Sequence, residues 1–526
     1  MSPISRENSK ILNYILILFI IFFSFTINWN YSKFGLFPID TFLHYDSSYR
    51  ILQGEYPVKD YWIVSGFFVD FVQAFFFKIF DVNWKAYIFH SSIFNVLISL
   101  FTFFTLKKLG VEKLYAFIFT LSFATLAYPV SGTPFVDMHA TYLCLMATYC
   151  IFLAVKQSRK YFFWILTLIF FFISFLSKQV PASYLMILYL PIVLLYLINT
   201  RSIKTVKVAA VASLSLLILF YLFLRFLKID LNLFFIQYVF SPQGVGSERF
   251  TNLNFSATSL FNHYKFILIP IILIFLLELN HLKKKRINLF STETINLVIL
   301  ILMCFGMIFH QSLTKNQIYI YFLVPVCFSF LFIRIEKSDI SLKKYIKLFV
   351  VFSLIIITFK YHMRFNENRK FHELNDINFS KAIESVKLDK SLKGLLWISL
   401  LYKENPNDEI IILKEIISEL DKKKKPIMLI THYSFLDSIT SKKLNSPSRT
   451  HTMNGASIPT KKDKYFEDYK NFLKEKLKKK KIDEIYFLKF EKLSTSVISE
   501  FINEKCYKKE QDSLFVKFKI KIDCLN

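Results

Sequence analysis

A short polar stretch at residues 44–62 carries side chains that can do acid–base and phosphate chemistry. Asp46 and Arg50 stand four residues apart, so a helix at this position places both on one face. A carboxylate there can take a proton from a hydroxyl group, and a guanidinium can bind a phosphate. Tyr49 and Asp60 are candidate substrate contacts in the same stretch. An ordinary surface ion pair between Asp46 and Arg50 is the competing interpretation.

A second polar stretch, Ser131 to His139, offers metal-ligand chemistry. Asp137 and His139 are side-chain types that bind divalent cations, so a Mg²⁺ or Mn²⁺ ion between them is one prediction. A single Asp-x-His pattern occurs in many proteins without a metal. The competing role for Asp137 is a helix cap.

Two further polar pairs lie at the ends of apolar stretches. The Lys178 ammonium can hold a phosphate group, with Gln179 as its neighbour, and His310 and Gln311 are candidate substrate contacts. A lysine at the end of an apolar helix is more often an anchor whose amine reaches the lipid headgroups. The location of Lys178 relative to the membrane decides between these two interpretations.

The elements that must position these residues are membrane helices. Of the 526 residues, 54% are hydrophobic and 62 are Phe, which excludes an ordinary soluble enzyme and a disordered chain. About eleven stretches are long and apolar enough to cross a hydrocarbon core as helices. The predicted spans lie near 11–29, 86–106, 114–130, 138–155, 161–177, 182–199, 207–227, 264–280, 293–310, 317–334 and 345–360.

Basic residues gather in alternate short loops between these spans. The intervening loops are nearly free of them: 131–137 has no Lys or Arg, and 178–181 has only Lys178. By the positive-inside rule the N-terminus is cytoplasmic and the segment after the last span lies on the outer side. The net charge of +27 therefore needs no nucleic acid to explain it. A lysine on the outer side, where lysines are scarce, favours a phosphate partner for Lys178.

Residues 361–526 are predicted to form a water-soluble domain after a membrane domain at 1–360. Strand-like and helix-like segments alternate in it, which indicates a small α/β domain. The predicted strands are 426–430, 485–488 and 514–520, and the predicted helices are 408–424, 463–480 and 493–504.

Six cysteines are divided between the two parts of the chain. Cys506 and Cys524 are the only two in the tail, where an oxidising compartment permits a disulfide that closes the last strand onto the helix before it. The other four fall in apolar spans and are predicted to be packing residues.

The string from Asp46 to Trp62, D-x-x-Y-R-x-L-Q-G-E-x-P-x-x-D-x-W, resembles the first-loop motif of GT-C membrane glycosyltransferases. It is most similar to their RgtA/B/C/D-like branch, which is related to the protein mannosyltransferase and aminoarabinose transferase families. The resemblance covers about the first 330 residues. Many relatives carry two adjacent acids in this loop, whereas Ser47 follows Asp46 here.

The resemblance implies an inverting glycosyltransferase of the cell envelope, embedded in a bacterial cytoplasmic membrane. Its donor would be a sugar on a polyprenyl phosphate, and its acceptor a glycolipid, a glycan or a protein on the outer face. Asp46 would act as the general base. The donor phosphate would be bound by Arg50, Lys178 and Gln179, and Asp137 would help to hold a divalent cation.

Two other classes of membrane protein compete with this interpretation. A secondary transporter would show internal repeats and Gly- or Pro-broken spans, and Gly accounts for only 10 residues here. A polymerase or ligase of lipid-linked glycans is closer in chemistry. Such enzymes rely on Arg and His in a large late loop, whereas the largest loop in this membrane region comes first and is acidic.

Overall fold

Helices make up nearly all of the chain before the tail. A computed structural model describes residues 3–34, 38–157, 161–242, 256–284, 290–314, 319–369, 377–451 and 457–525. The helices up to residue 361 are α1 (Pro3–Tyr31), α2 (Pro38–Leu52), α3 (Phe67–Phe80), α4 (Trp84–Leu109), α5 (Lys113–Leu126), α6 (Val136–Lys156), α7 (Tyr161–Ser177), α8 (Gln179–Asn199), α9 (Ile203–Phe226), α10 (Leu231–Phe234), α11 (Ala257–Lys284), α12 (Thr292–Leu313), α13 (Leu323–Lys337) and α14 (Lys343–Tyr361).

Each of the eleven predicted spans overlaps one of these helices, which confirms the polytopic helical fold. Residues 317 and 318 of the last but one predicted span lie outside the described residues. Within the described ranges, nine helical segments are long and apolar enough to cross a membrane. The helices at the other two predicted spans, α7 and α13, are shorter than these, with 17 and 15 residues. The nine segments are Lys10–Tyr31, Trp84–Leu109, Lys113–Val130, Val136–Lys156, Gln179–Asn199, Ile203–Phe226, Ala257–Leu279, Thr292–Leu313 and Lys343–Glu367.

Helix α6 is the centre of the bundle. It packs against α4, α7, α8 and α12, and 94% of its most apolar window is buried. Small side chains recur along it, including the fully buried Ala140, Ala147 and Ala154, and they let neighbouring helices approach closely. This packing fixes the first turn of α6, which carries Asp137.

The first loop contains two helices, α2 and α3, that do not belong to the predicted spans. Pro38 opens α2, a position where its missing N–H costs nothing. Gly66 precedes α3 with φ of 79°, a left-handed conformation that favours glycine. The two helices pack against each other and lie at the end of the bundle where α6 and α8 begin.

The tail contains a four-stranded sheet with helices on both faces. Its strand order is β3-β4-β6-β5, with β3 and β4 parallel and the other pairs antiparallel. A separate two-stranded sheet pairs β1 with β2. The elements are β1 (Ile383–Glu384), β2 (Leu396–Trp397), α15 (Pro406–Asp421), β3 (Ile427–Ile430), α16 (Phe466–Lys480), β4 (Glu484–Leu488), α17 (Ser496–Phe501), β5 (Tyr507–Gln511) and β6 (Phe515–Ile520).

Strand β3 explains the layering of the tail, because all four of its residues are buried. Ile427 and Leu429 point to one face and pack in a cluster with the apolar side of α15. Met428 and Ile430 point to the other face and pack with α16. The period of two along a strand thus divides the tail core into two halves.

Cys506 and Cys524 form a disulfide in the structure. Cys506 immediately precedes β5 and Cys524 follows β6, so the bond joins the open ends of the last hairpin. Cys506 is also the last residue of a short 3₁₀ helix, Glu504–Cys506, so the bond connects the end of that helix to the segment after the last strand. The sequence does not predict β5, which lies between them.

The tail is packed directly onto the first loop. The ring of Phe435 stacks on that of Phe42 in α2, with 4.1 Å between centroids. The backbone N–H of Trp62 donates to the carbonyl of Pro447 at 2.8 Å, and the N–H of Arg449 donates to the carbonyl of Trp62 at 3.2 Å. A single hydrophobic cluster therefore runs from α2, α3 and α4 into the tail.

Candidate active site

Asp137, Lys178 and His310 meet at one end of the bundle, which we call the site end. The Lys178 ammonium lies 2.7 Å from both carboxylate oxygens of Asp137. The Nε2 atom of His310 lies 3.3 Å from Asp137 Oδ1. These residues come from the start of α6, the junction of α7 with α8, and the last turn of α12. Three separate helices thus converge on one carboxylate.

The lysine of this cluster faces outward while the carboxylate is enclosed. The Asp137 side chain is 2% exposed, whereas that of Lys178 is 17% exposed. An ammonium has three N–H donors, and two of those of Lys178 are used on Asp137. Among the described residues, one donor and a partly exposed side remain for an anionic ligand.

Asp40 in the first turn of α2 belongs to the same electrostatic cluster. It is half-buried, and burial raises its pKa to about 6, with Asp137 adding to the increase and Lys178 opposing it. A carboxyl group with such a pKa takes up a proton readily near neutral pH. The sequence prediction did not include Asp40 in the site; Pro38 at a helix start is the local signal that places this acid on a helix rather than in a loop.

Gln179 and Gln311 use their amide groups to hold the backbone near the site end. Gln179 Nε2 donates to the carbonyl of Val64 at 2.8 Å and to that of Tyr238. Gln311 Oε1 accepts from the N–H of Ile320 at 2.9 Å. Both side chains thus hold neighbouring backbone segments in place around the cluster through hydrogen bonds.

Asp46 is in a different place from the Asp137 cluster. It is 1% exposed, and within the described part of the chain its two carboxylate oxygens have no hydrogen-bond partner. Burial raises the pKa of Asp46 well above its usual range; Arg50 opposes this increase, and Asp437 of the tail adds to it. The carboxylate of Asp46 is thus enclosed beneath the tail, on the same helix as Asp40.

Arg50 shares a face of α2 with Asp46, as the spacing predicts, but its principal partner is Glu55. Arg50 Nη1 lies 4.0 Å from Asp46 Oδ2, whereas Nε and Nη2 lie 3.1 and 3.0 Å from Glu55 Oε2. Arg50 Nη2 also donates to the carbonyl of Ser446 at 3.0 Å, and the guanidinium lies 4.0 Å from the centre of the Tyr61 ring. Arg50 therefore connects the first loop to the tail.

Tyr49 and Asp60 have different surroundings. Tyr49 is half-buried, and burial raises its pKa, with Asp437 and Asp46 adding to the increase. Asp60 Oδ2 accepts from the N–H of Tyr56 at 2.9 Å, a contact that closes a turn in the first loop. Tyr49 consequently stands beside the enclosed carboxyl groups, and Asp60 has a local backbone partner.

His139 does not share a cation-binding position with Asp137. Its Nδ1 is 2.7 Å from the Tyr128 hydroxyl and its Nε2 is 3.0 Å from Nε2 of His90, while Asp137 is engaged by Lys178. Residues two apart on a helix face different directions, and Asp137 and His139 have separate partners in the structure. Among the described residues, no group of three or more His, Cys, Asp or Glu side chains is placed to hold a metal ion. The cation at Asp137 and His139 stays a prediction.

A bundle of helices long and apolar enough to span a membrane defines the class, a polytopic membrane protein with a carboxylate–lysine cluster at one end. Residues 65–225 match the model of the dolichyl-phosphate-mannose-protein mannosyltransferase family, a GT-C type glycosyltransferase family. The matched segment contains Asp137 and Lys178, whereas α2 precedes it. No curated protein matches the chain. The family match supports a membrane glycosyltransferase that uses a lipid-linked sugar donor.

Proposed function

We propose that the protein transfers a sugar from a polyprenyl phosphate to a hydroxyl group of a glycolipid, glycan or protein. The cluster of Asp40, Asp137, Lys178 and His310 carries the proposal, because it places a carboxyl group of raised pKa beside an accessible cation. Asp137 and Lys178 also lie within the segment that matches the family model. The reaction takes place at the site end, which we assign to the outer face of a bacterial cytoplasmic membrane from the distribution of basic loops.

In the proposed mechanism, Lys178 binds the phosphate of the donor through its remaining N–H. Asp137 holds the ammonium in position and is oriented in turn by His310. As the bond between the sugar and the phosphate breaks, the phosphate oxygen keeps the electron pair, and Lys178 stabilises the negative charge. A single displacement inverts the configuration at the anomeric carbon and needs no second carboxylate as a nucleophile.

The proton of the acceptor hydroxyl passes to a carboxylate on α2. Asp40 suits this role better than Asp46, because a general base must come within hydrogen-bond distance of the hydroxyl. Asp40 is half-buried and lies in the Lys178 cluster, whereas the carboxylate oxygens of Asp46 are enclosed. We therefore assign the base to Asp40 instead of Asp46.

The two aspartates provide a matched experiment. Asp40→Asn and Asp46→Asn make the same chemical change on the same helix. Turnover of labelled polyprenyl-phosphate hexoses and pentoses is measured in liposomes, with extracted membrane glycolipids and glycans as acceptors. We expect Asp40→Asn to lower kcat by about 100-fold or more, the usual contribution of a general base. Unchanged kcat in Asp40→Asn would contradict the assignment.

The proposed orientation has its own test. Lys422 is exposed in the tail, so Lys422→Cys presents a thiol on the tail surface, and a membrane-impermeant maleimide is added to intact spheroplasts. Labelling without permeabilisation is expected, since the tail is assigned to the outer side. Labelling that requires detergent would place the tail in the cytoplasm and contradict the proposed site of reaction.

A further inference from the structure

A cavity opens at the end of the bundle opposite the site end. It has a volume of about 230 Å³ and lies among the ends of α4 and α6, the start of α12, and the later turns of α11 and α13. Drug-sized ligands occupy cavities of about 300–1,000 Å³, whereas this volume equals that of about seven water molecules at ~30 Å³ each. The cavity therefore suits a small polar group rather than a large organic ligand.

Charged side chains from four helices surround this cavity. Lys156 ends α6, Glu293 lies in the first turn of α12, and Arg334 and Lys337 lie in the last turn of α13. Glu278 of α11 is the carboxylate partner of Arg334, with 2.9 Å between its Oε2 and Nη1 of the guanidinium. Among the described residues, three cations thus face two carboxylates, and one positive charge remains uncompensated.

The uncompensated cation is Lys156. Arg334 and Lys337 are each paired with one of the two carboxylates. In the described part of the chain Lys156 forms no ion pair, and its Nζ donates one hydrogen bond, to the carbonyl of Lys108 at 2.7 Å. An ammonium has three N–H donors. Lys156 therefore has two donors for an anionic ligand.

Asn296 provides an independent observation, an acceptor atom without a partner. The residue is 9% exposed and lines the cavity one turn after the start of α12. Within the described residues, its Oδ1 atom has no hydrogen-bond partner. Buried polar atoms in proteins are nearly always hydrogen-bonded. The free acceptor therefore indicates a ligand that brings a donor of its own, such as a hydroxyl group.

The location of the cavity favours a lipid as the source of this ligand. The cavity lies between the ends of membrane helices, at the face that the basic loops assign to the cytoplasm. Basic pockets between membrane helices on this face are typical binding sites for the headgroups of anionic lipids. The apolar part of the lining suits the glycerol and acyl carbons of a lipid, and it consists of Leu109, Ile274, Leu297, Phe330 and Ile333.

We propose that this cavity binds the headgroup of an anionic phospholipid that carries a free hydroxyl group, as phosphatidylglycerol does. Lys156 binds the phosphodiester through its two remaining donors, and the two charges balance. A headgroup hydroxyl donates to Asn296 Oδ1 and completes that acceptor. This site lies at the opposite end of the bundle from Lys178, and the proposal does not depend on the proposed glycosyltransferase function.

The other charged groups of the cavity are compatible with one bound phosphate. Lys337 and Glu293 are 54% and 42% exposed, and an ion pair so exposed to solvent is weak, so Lys337 adds to the attraction for an anion. The N-terminus of α12 carries a partial positive charge, which the Glu293 carboxylate in its first turn offsets. A zwitterionic headgroup would leave the charge of Lys156 uncompensated.

Titration of lipids into the full chain in detergent, with native mass spectrometry as the readout, tests the proposal. The probes are phosphatidylglycerol, phosphatidylmethanol, which is anionic but has no hydroxyl group, and phosphatidylcholine, which has neither feature. We expect phosphatidylglycerol to bind about threefold or more tightly than phosphatidylmethanol, the effect of one hydrogen bond, and at least about tenfold more tightly than phosphatidylcholine.

Two variants separate the charge from the hydroxyl group. Lys156→Gln should weaken phosphatidylglycerol binding at least about tenfold, because it removes a charge-assisted contact, and Lys156→Arg should restore most of it. Asn296→Leu should abolish the preference for phosphatidylglycerol over phosphatidylmethanol. Lys204→Gln, which removes an exposed lysine in the first turn of α9 at the same end of the bundle, is the matched control and should bind as the unmodified protein does.

Thermal unfolding in detergent verifies that each variant is folded, and the exposed Lys337→Gln repeats the charge test if Lys156→Gln does not fold. Equal binding of phosphatidylglycerol and phosphatidylcholine would overturn the site. So would unchanged binding in the folded charge variant, or an equal loss in Lys204→Gln. Phosphatidylmethanol that binds as tightly as phosphatidylglycerol would contradict the role of Asn296. Displacement of the lipid by excess inorganic phosphate would indicate a site for a soluble anion and overturn the lipid assignment.

Discussion

Replacing Arg449 with Met should weaken the attachment of the tail to the first loop, because it removes a buried ion pair between them. Arg449 is 5% exposed and pairs with Asp70, which is fully buried. Its Nε donates to the Ser47 hydroxyl at 3.0 Å, and its Nη1 donates to the carbonyl of Ser65. Gly66 makes room for it, since a Cβ atom there would collide with Arg449 Nη1.

The expected loss follows from these contacts. Of the side chains in the described ranges, His44 alone would remain as a partner of Asp70, with its Nδ1 2.6 Å from Asp70 Oδ1. Removing one partner from a buried ion pair costs about 3–5 kcal/mol, because the remaining charge is left uncompensated. Arg449→Met should therefore lower the free energy of unfolding by about 3–5 kcal/mol at pH 8.

The loss should be smaller in acid because His44 can replace the missing cation. Burial lowers the pKa of His44 in the unmodified protein; Asp70 opposes this shift and Arg449 adds to it. Without Arg449, the folded-state pKa of His44 rises. The folded variant then binds a proton at His44 at a higher pH than the folded unmodified protein does, so a falling pH favours the variant relative to the unmodified protein. Arg449→Met should accordingly be less destabilising at pH 5 than at pH 8.

Reversible unfolding in detergent with increasing denaturant measures these differences, and Lys462→Met serves as an exposed-cation control. Combining Arg449→Met with Asp70→Asn should cost less than the sum of the two single changes, because the second removes the stranded charge. An Arg449→Met variant within about 0.5 kcal/mol of the unmodified protein at pH 8, the range of ordinary surface changes, would refute the reasoning. Equal losses at pH 5 and pH 8 would refute the role of His44.

Three further predictions concern separate parts of the molecule. Lys178→Met should raise KM for the polyprenyl-phosphate donor more than tenfold in liposome assays, with partial recovery in Lys178→Arg; an unchanged KM would contradict phosphate binding by this residue. Burial raises the pKa of Glu491 to about 8 from 4.5, so the folded state holds a proton that the unfolded state releases, and stability should fall as the pH rises between these values. Glu491→Gln should flatten the corresponding slope of Tm against pH, and an unchanged slope would count against the shifted pKa. Changing Cys506 and Cys524 together to Ser should destabilise the tail by about 3 kcal/mol, the value for a loop of similar length to the 18-residue separation; loss of tail structure is followed by limited proteolysis, and equal resistance in the variant would contradict the estimate.

The sequence predicts the helices of the bundle well, because the apolar run that identifies each span is a local feature of the sequence. A run of about 20 apolar residues identifies a membrane helix without knowledge of its neighbours. The first-loop helices α2 and α3 are harder to predict, because they combine polar and apolar residues and are held by the bundle on one side and the tail on the other. The sequence does not predict strand β5, Tyr-Lys-Lys-Glu-Gln, for a similar reason. It is an edge strand defined by its hydrogen bonds to β6 and has little apolar pattern.

The arrangement of the candidate site depends on contacts between distant residues, which a sequence pattern does not reveal. Asp137 and Lys178 are predicted for different tasks, a cation and a phosphate, whereas the structure pairs them directly across 41 residues of sequence. The four-residue spacing of Asp46 and Arg50 predicts that they share one face of a helix, and in the structure they do. However, the partners that dominate Arg50 are Glu55 and the tail, which no local pattern reveals.

Helix α2 connects the Lys178 cluster to the tail. Its first turn places Asp40 beside the Lys178 cluster, and its later turns place Asp46 and Arg50 against the tail. A rigid helix cannot move one of these groups without moving the other. The tail fixes α2 from outside through the Phe435 stacking contact and through Arg449 acting on Asp70 and His44. The position of the proposed base therefore depends on tail residues about 400 positions away in sequence, Phe435 and Arg449, which gives the tail a structural role at the proposed site.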